Sequence, residues 1–91
     1  MEERIGIVTH YFAKISVAVM EMKEGRLHTG DTLHIKGHTT DFYQNVSSMQ
    51  IEHEPVSEVK AGQEFAFKVE SPVREHDVVF RVTDEENTGI E

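Results

Sequence analysis

The chain has 91 residues and carries 17 acidic against 9 basic side chains, for a formal net charge of −8. This length suits one domain with a modest core, and the absence of cysteine excludes disulfides and thiolate metal sites. The acidic balance argues against broad binding to a nucleic-acid backbone, which needs a surface rich in lysine and arginine. Because no apolar run approaches the roughly 20 residues of a membrane span and no secretory signal pattern opens the chain, we expect a cytoplasmic location and no membrane contact.

Apolar residues recur at every second position in several segments, which is the period of a strand rather than of a helix. The alternating apolar sets are Ile5 and Ile7; Ile15, Val17 and Val19; Leu33 and Ile35; Phe65, Phe67 and Val69; and Val78, Phe80 and Val82. The predicted strands lie near residues 3–10, 15–22, 32–37, 42–53, 64–70 and 77–82. We expect each set to form the apolar face of its strand.

Turn residues separate the predicted strands. Gly25, Gly30 and Gly62 stand where tight turns need positive φ. The long strand at 42–53 is expected to bend at Ser47–Ser48. Pro55 is expected to end strand pairing where it stands.

Short strands at regular spacing favour a sandwich or a closed barrel, and closure removes the open edges of a sheet that has few covering helices. Residues 57–60 are long enough for one helical turn at most. We therefore predict an all-β fold, a small closed antiparallel β-barrel of about six to seven strands. The barrel domain spans residues 1–83, and residues 84–91 form an acidic tail that we expect to be disordered.

Six histidines are candidates for metal ligands, but their spacing matches no metal-binding motif. They are His10, His28, His34, His38, His53 and His76. The alternation turns His34 outward while Leu33 and Ile35 face the core. We therefore interpret the histidines as polar surface residues and predict no metal site.

The sequence gives no stronger support for catalytic residues than for metal ligands. Ser47 and Ser48 precede His53 by five or six residues, which separates them by roughly 16–20 Å along a strand. Glu52 and Glu54 share a strand face without any sign of burial. We predict that the chain is not an enzyme and needs no cofactor.

Two aromatic residues near predicted loops allow two interpretations. Phe12 and Phe42 either stack on nucleic-acid bases or close the ends of the barrel. The second interpretation is preferred, because the lysines are scattered and no basic groove is visible.

Three segments read in series resemble a known family. The first is Gly6 to His10 with Ile15 to Val19, and the second is Gly25 to Gly37 with the pattern G-x-L-x-x-G-D. The third is Val46 to His53, followed by Val59 to Gln63 and Phe65 to Val69. In this order they resemble the β-barrel second domain of translational GTPases such as elongation factor Tu, elongation factor 1-alpha and initiation factor 2. One departure is His76, which stands where the family has a glycine before the last strand.

The resemblance does not extend to a GTPase domain. No Gly-Lys pair occurs in the chain, so the phosphate-binding loop is missing and we expect no GTP binding. In elongation factor Tu relatives an acidic residue packs near the terminal adenosine of aminoacyl-tRNA. Gln50 stands at that position, where it either bonds a nucleotide or points to solvent.

The resemblance thus implies a non-catalytic, translation-factor-like binding module. Its partner would be a protein or a translation-related RNA, namely the tRNA end or the ribosome, and the acidic balance favours a protein. The alternative is an accessory subunit that acts in trans with an RNA-modifying or peptidase-like enzyme.

Overall fold

The computed structural model describes residues 1–83, which form ten β-strands. The strands are β1 (Glu2–Phe12), β2 (Val17–Met22), β3 (Arg26–His28), β4 (Thr32–Lys36), β5 (Asp41–Asn45), β6 (Met49–Ile51), β7 (Glu54–Val56), β8 (Glu58–Lys60), β9 (Glu64–Lys68) and β10 (Val78–Val82). All their pairings are antiparallel. The predicted all-β class is confirmed, and the predicted acidic tail, residues 84–91, lies outside the described residues.

Eight strands form one sheet in the order β5-β4-β10-β1-β2-β9-β6-β7, and β3 pairs with β8 in a separate two-stranded sheet. No ladder joins the end strands β5 and β7 in the described part of the chain, so a closed barrel is not found. A side chain links β5 to the far part of the sheet instead. The amide of Gln44 donates to the Lys68 carbonyl at 2.8 Å and accepts from the Glu70 N–H at 2.8 Å.

The strand predicted over 42–53 is interrupted after β5. The backbone of Val46 bonds to the turn before β4: its N–H donates to the Asp31 carbonyl at 2.9 Å, and its carbonyl accepts from the Gly30 N–H at 2.7 Å. The chain then resumes as β6 and β7. The expected bend at Ser47–Ser48 is therefore a break between two strands.

Residues 57–60 form no helical turn, in agreement with the upper limit of one turn: they hold β8, which pairs with β3. The prediction for Pro55 is wrong. Pro55 does not end pairing, because it lies on β7 opposite Gln50. The strand β7 is the edge of its sheet, where the missing N–H of a proline is tolerated.

The core gathers fully buried side chains from both sheets. Its members are Ile5, Val8, Ala18, Met20, Met22, Leu27, Leu33, Ile35, Val46, Met49, Val59, Phe65, Phe67, Val69, Val73 and Val79. The apolar sets predicted for the segments at 32–37 and 64–70 are thus confirmed.

The sets predicted for the segments at 15–22 and 77–82 lie on the wrong face. In β2 the core side chains are Ala18, Met20 and Met22, whereas Val17 and Val19 face outward. Both faces of this strand are apolar, so the period of two does not decide between them.

In β1 an irregularity in the strand pairing changes which residues are buried. In β10 the buried face is the one opposite to the predicted face. The pairing of β1 with β10 slips between Arg4 and Gly6, so that Ile5 and Val8 are fully buried while Ile7 is only half-buried. In β10 the core residue is Val79, and the predicted set is half-buried on the opposite face.

The tight turns have the predicted backbone. Gly25, Gly30 and Gly62 have φ of 72°, 95° and 94°. His76 adopts φ of 78°, so this non-glycine residue occupies the left-handed conformation that a glycine favours.

We predict that Gly6→Ala destabilises the fold by about 3 kcal/mol, because overpacking against an ordered backbone forces the strands apart. A Cβ at Gly6 would collide with the backbone carbonyl oxygen of Glu21 and would lie 2.6 Å from Met20 Cε. Gly30→Ala is the matched control: a Cβ there meets nothing within 4 Å, so only the positive φ is penalised, by about 1 kcal/mol. Urea denaturation measures both changes, and equal losses would contradict the steric explanation.

Candidate functional site

An open groove of about 680 Å³ lies on the outer face of β2, β9 and β6. Its floor is a row of side chains on neighbouring strands: Val19 pairs with Ala66, and Ala66 pairs with Gln50. The residues that alternate with them face the core, so packing on the inner side fixes the row on the outer side. Val17 extends the apolar floor along β2.

The loop between β1 and β2 supplies an apolar wall. Phe12 and Ile15 line the groove and are 50% and 59% exposed. A tight turn holds them, because the N–H of Ile15 donates to the Phe12 carbonyl at 3.2 Å and Ser16 has φ of 56°. The prediction that Phe12 closes a barrel end is wrong, because this hairpin extends past the core, whereas Phe42 does pack against the core.

The opposite end of the groove is polar. Glu52 and His53 form the two-residue turn between β6 and β7, and both have positive φ, of 52° and 69°. Such turns usually contain asparagine and glycine, because other side chains are strained there. Glu64 also lines this end and accepts a hydrogen bond from the Thr9 hydroxyl at 2.9 Å.

Gln50, the candidate RNA-end contact, is exposed in the floor of this groove. The structure therefore places this predicted residue on an accessible surface, beside Val19 and Ala66 rather than beside basic side chains. The sequence analysis missed the apolar residues around it. The signal was present as the run Val17 to Met20, which is too continuous for a strand that buries one face.

The six histidines do not assemble a metal-binding cluster in residues 1–83. No group of three or more histidine or acidic side chains that could hold a metal ion occurs within this range. Within the same range no helix has the length and apolarity that a membrane crossing requires.

A second polar cluster surrounds His34 on the outer face of β4. The ring is 7% exposed and stacks on Tyr43 with 4.1 Å between the ring centroids. Its Nδ1–H donates to Glu2 Oε1 at 2.7 Å, and its Nε2–H donates to Asp41 Oδ1 at 2.6 Å. The prediction that His34 is an exposed surface residue is therefore wrong, because the aromatic neighbours on β5 and β10 cover it.

The cluster is electrostatically coupled. Burial by itself lowers the pKa of His34, but the hydrogen bonds with Glu2 and Asp41 outweigh it and leave the pKa raised. The hydrogen bond from His34, followed by that from Tyr43, lowers the pKa of Glu2. The hydrogen bond to Glu2 raises the pKa of Tyr43. An imidazolium between two carboxylates thus fastens the start of β1 to β4 and β5, which is a structural role.

Comparison with known proteins gives a consistent set of relatives. No family model matches the chain. A Porphyromonas gingivalis protein named collagenase is 33% identical over 78 residues, which are 85% of this chain and 22% of that protein. An uncharacterised protease of Methanocaldococcus jannaschii is 40% identical over 77 residues, which are 84% of this chain and 19% of that protein. The chain therefore spans about a fifth of the length of the curated relatives it matches.

The fold is shared with a solved domain. The crystal structure of the C-terminal domain of a Geobacillus thermoleovorans protein described as a U32 peptidase matches with a TM-score of 0.82 and 19% identity. The match covers 89% of this chain and 93% of that one. Its selenomethionine variant matches with a TM-score of 0.79 and 20% identity, over 85% of this chain and 96% of that one.

These comparisons overturn the resemblance to translational GTPases. The neighbours are C-terminal domains of a U32 peptidase, and the relatives are named collagenase and protease. The G-x-L-x-x-G-D segment does form the predicted turn, since Asp31 Oδ2 accepts the His28 N–H at 2.8 Å. That turn chemistry recurs in unrelated sheets and does not identify a family. The contact of Gln50 with a tRNA end was carried over from the resemblance and loses its support.

The His34 cluster predicts a pH-dependent stability. Because the pKa of His34 is raised above 6.5, its contribution is complete below about pH 6.5 and is lost as the pH rises through the folded-state pKa. Because the pKa of Glu2 is lowered from 4.5, its contribution is present above about pH 4.5 and is lost as the pH falls through its folded-state pKa.

We therefore expect His34→Gln to cost about 2 kcal/mol near pH 5.5 and clearly less near pH 8.5, as measured by urea denaturation at both pH values. His38→Gln, at an exposed histidine beyond the end of β4, is the control and should change stability little at either pH. If His34→Gln lowers the free energy of unfolding equally at both pH values, the charge of the His34 ring does not contribute to stability.

Proposed function

We propose that this chain is the accessory β-domain of a U32-peptidase-like protein and that it works by binding the catalytic part of that protein. The proposal is based on the 40% identity between this chain and a protease of Methanocaldococcus jannaschii. The matched stretch makes up only 19% of that protease. A stretch that small leaves most of the relative for other domains, and we place the hydrolytic chemistry there.

The fold likeness supports the same assignment. The solved neighbour is a C-terminal domain by itself, and the match covers 93% of it with a TM-score of 0.82. A unit of this kind has its own core and packs on its neighbours through a surface patch.

The surface of the chain supports a binding role. The groove offers apolar side chains to a partner. The net charge of −8 favours a protein partner over nucleic acid. That preference and a cytoplasmic location stay predictions.

A domain graft tests the proposal. We expect removal of the 78 matched residues from the P. gingivalis collagenase to lower kcat/KM for gelatin by about tenfold or more, because the catalytic part loses a packing surface. Replacing those residues with this chain should restore kcat/KM to within about threefold of the intact protein. An unrelated β-domain of similar size in the same position is the control.

Two results would overturn the proposal. The first is a folded graft that is no more active than the deletion. The second is hydrolysis of gelatin by this chain alone, which would place the catalytic groups within it.

A further inference from the structure

We infer that the groove on β2, β9 and β6 is the face through which the chain docks on the catalytic part of the peptidase-like protein. The occupant is a segment of that part which presents apolar side chains next to a lysine or arginine. This inference rests on the proposed function and names the surface and the chemistry that it uses.

The apolar half of the groove is unusually accessible. Phe12 and Ile15 are among the four large hydrophobic side chains exposed in the described residues, and both border the same groove. A third, Tyr43, has its hydroxyl bonded to Glu2. Clustered apolar side chains with a polar rim are typical of protein interaction sites.

The polar half is acidic. Glu64 lines the groove, accepts a hydrogen bond from the Thr9 hydroxyl, and lies directly opposite Glu21 of β2 in the ladder. Two like charges at paired positions of adjacent strands destabilise a sheet. Lys23 lies 3.4 Å from Glu21 on the exposed surface, which offsets only part of this repulsion.

A second lining carboxylate, Glu52, lies at the same end of the groove as Glu64. No lysine or arginine is among the described residues that line it. A cation supplied by a partner would neutralise this end, which is why the occupant is basic as well as apolar.

Strained backbone frames the groove on both sides. Four non-glycine residues in the described range have positive φ, and three of them adjoin this groove: Ser16 beside the apolar wall, and Glu52 and His53 at the polar end. Positions of this kind are held by the surrounding structure and cluster at binding sites. Fixing these loops before contact lowers the entropy lost on binding.

The same charges argue against a second copy as the occupant. In a two-fold dimer each groove would face the groove of the other copy, and the described lining contributes no lysine or arginine that would neutralise Glu52 and Glu64. The catalytic part of a longer protein has no such restriction.

The experiment measures binding of this chain to the P. gingivalis collagenase that lacks its 78 matched residues, by calorimetry at low and high salt. We expect the double variant Val17→Ser, Val19→Ser to weaken binding at least about tenfold, as two buried methyl-bearing contacts are lost. Val78→Ser, at a half-buried valine on the outer face of β10, is the matched control and should change affinity less than about twofold.

The charge requirement is tested separately. Glu52→Gln with Glu64→Gln keeps the side-chain shapes, and we expect it to weaken binding about fivefold at low salt and to reduce the salt dependence. Glu24→Gln removes one exposed carboxylate on the turn after β2 and should have little effect. If the valine variant unfolds in a urea titration, the exposed Ile15→Ser replaces it.

The outcomes separate the two proposals. If the unaltered chain neither binds nor restores activity as a graft, the proposed function fails. If it binds while the groove variants behave like their controls, the docking surface is elsewhere and this inference is wrong. A groove-dependent dimer in sedimentation, or a gelatin peptide that competes for the groove, would also overturn it by showing a different occupant.

Discussion

The strand β2 has apolar side chains on both faces, and the rest of the molecule is arranged around this fact. One face, with Ala18 and Met20, seals the core against β9. The other, with Val17 and Val19, stays half-buried and forms the groove. Burying both faces would need a second layer, which the described residues do not provide. The apolar outer face is therefore a surface that a partner can complete.

Much of the fold follows from local signals in the sequence. The period of two identifies the all-β class, and Phe65 and Phe67 lie in the core as their alternation indicates. Alternation cannot choose a face when both are apolar, as in β2, and it fails across the bulge beside Ile5. The break after β5 was also not predicted, because the backbone hydrogen bonds of Val46 with Gly30 and Asp31 join distant parts of the chain.

The candidate sites, too, could be predicted from the sequence only in part. Gln50 is exposed in the structure, but the role considered for it came from a strand position in a family resemblance that the comparisons contradict. His34 looks like an ordinary outward-facing residue in sequence. Only the pairing of β4 with β5 and β10 brings Tyr43 and Phe80 over it. The groove required knowledge of which strands are neighbours, because its residues come from separate parts of the chain.

We propose that the outer face of β2 is exposed in the isolated chain and covered in the assembled protein. Methyl NMR with a soluble paramagnetic probe measures this exposure at Val17 and Val19, with Val78 as an internal reference. We expect strong broadening of the groove methyl signals in the isolated chain and protection of these signals when the chain is grafted into the collagenase. Equal broadening in both states would show that no partner covers this face.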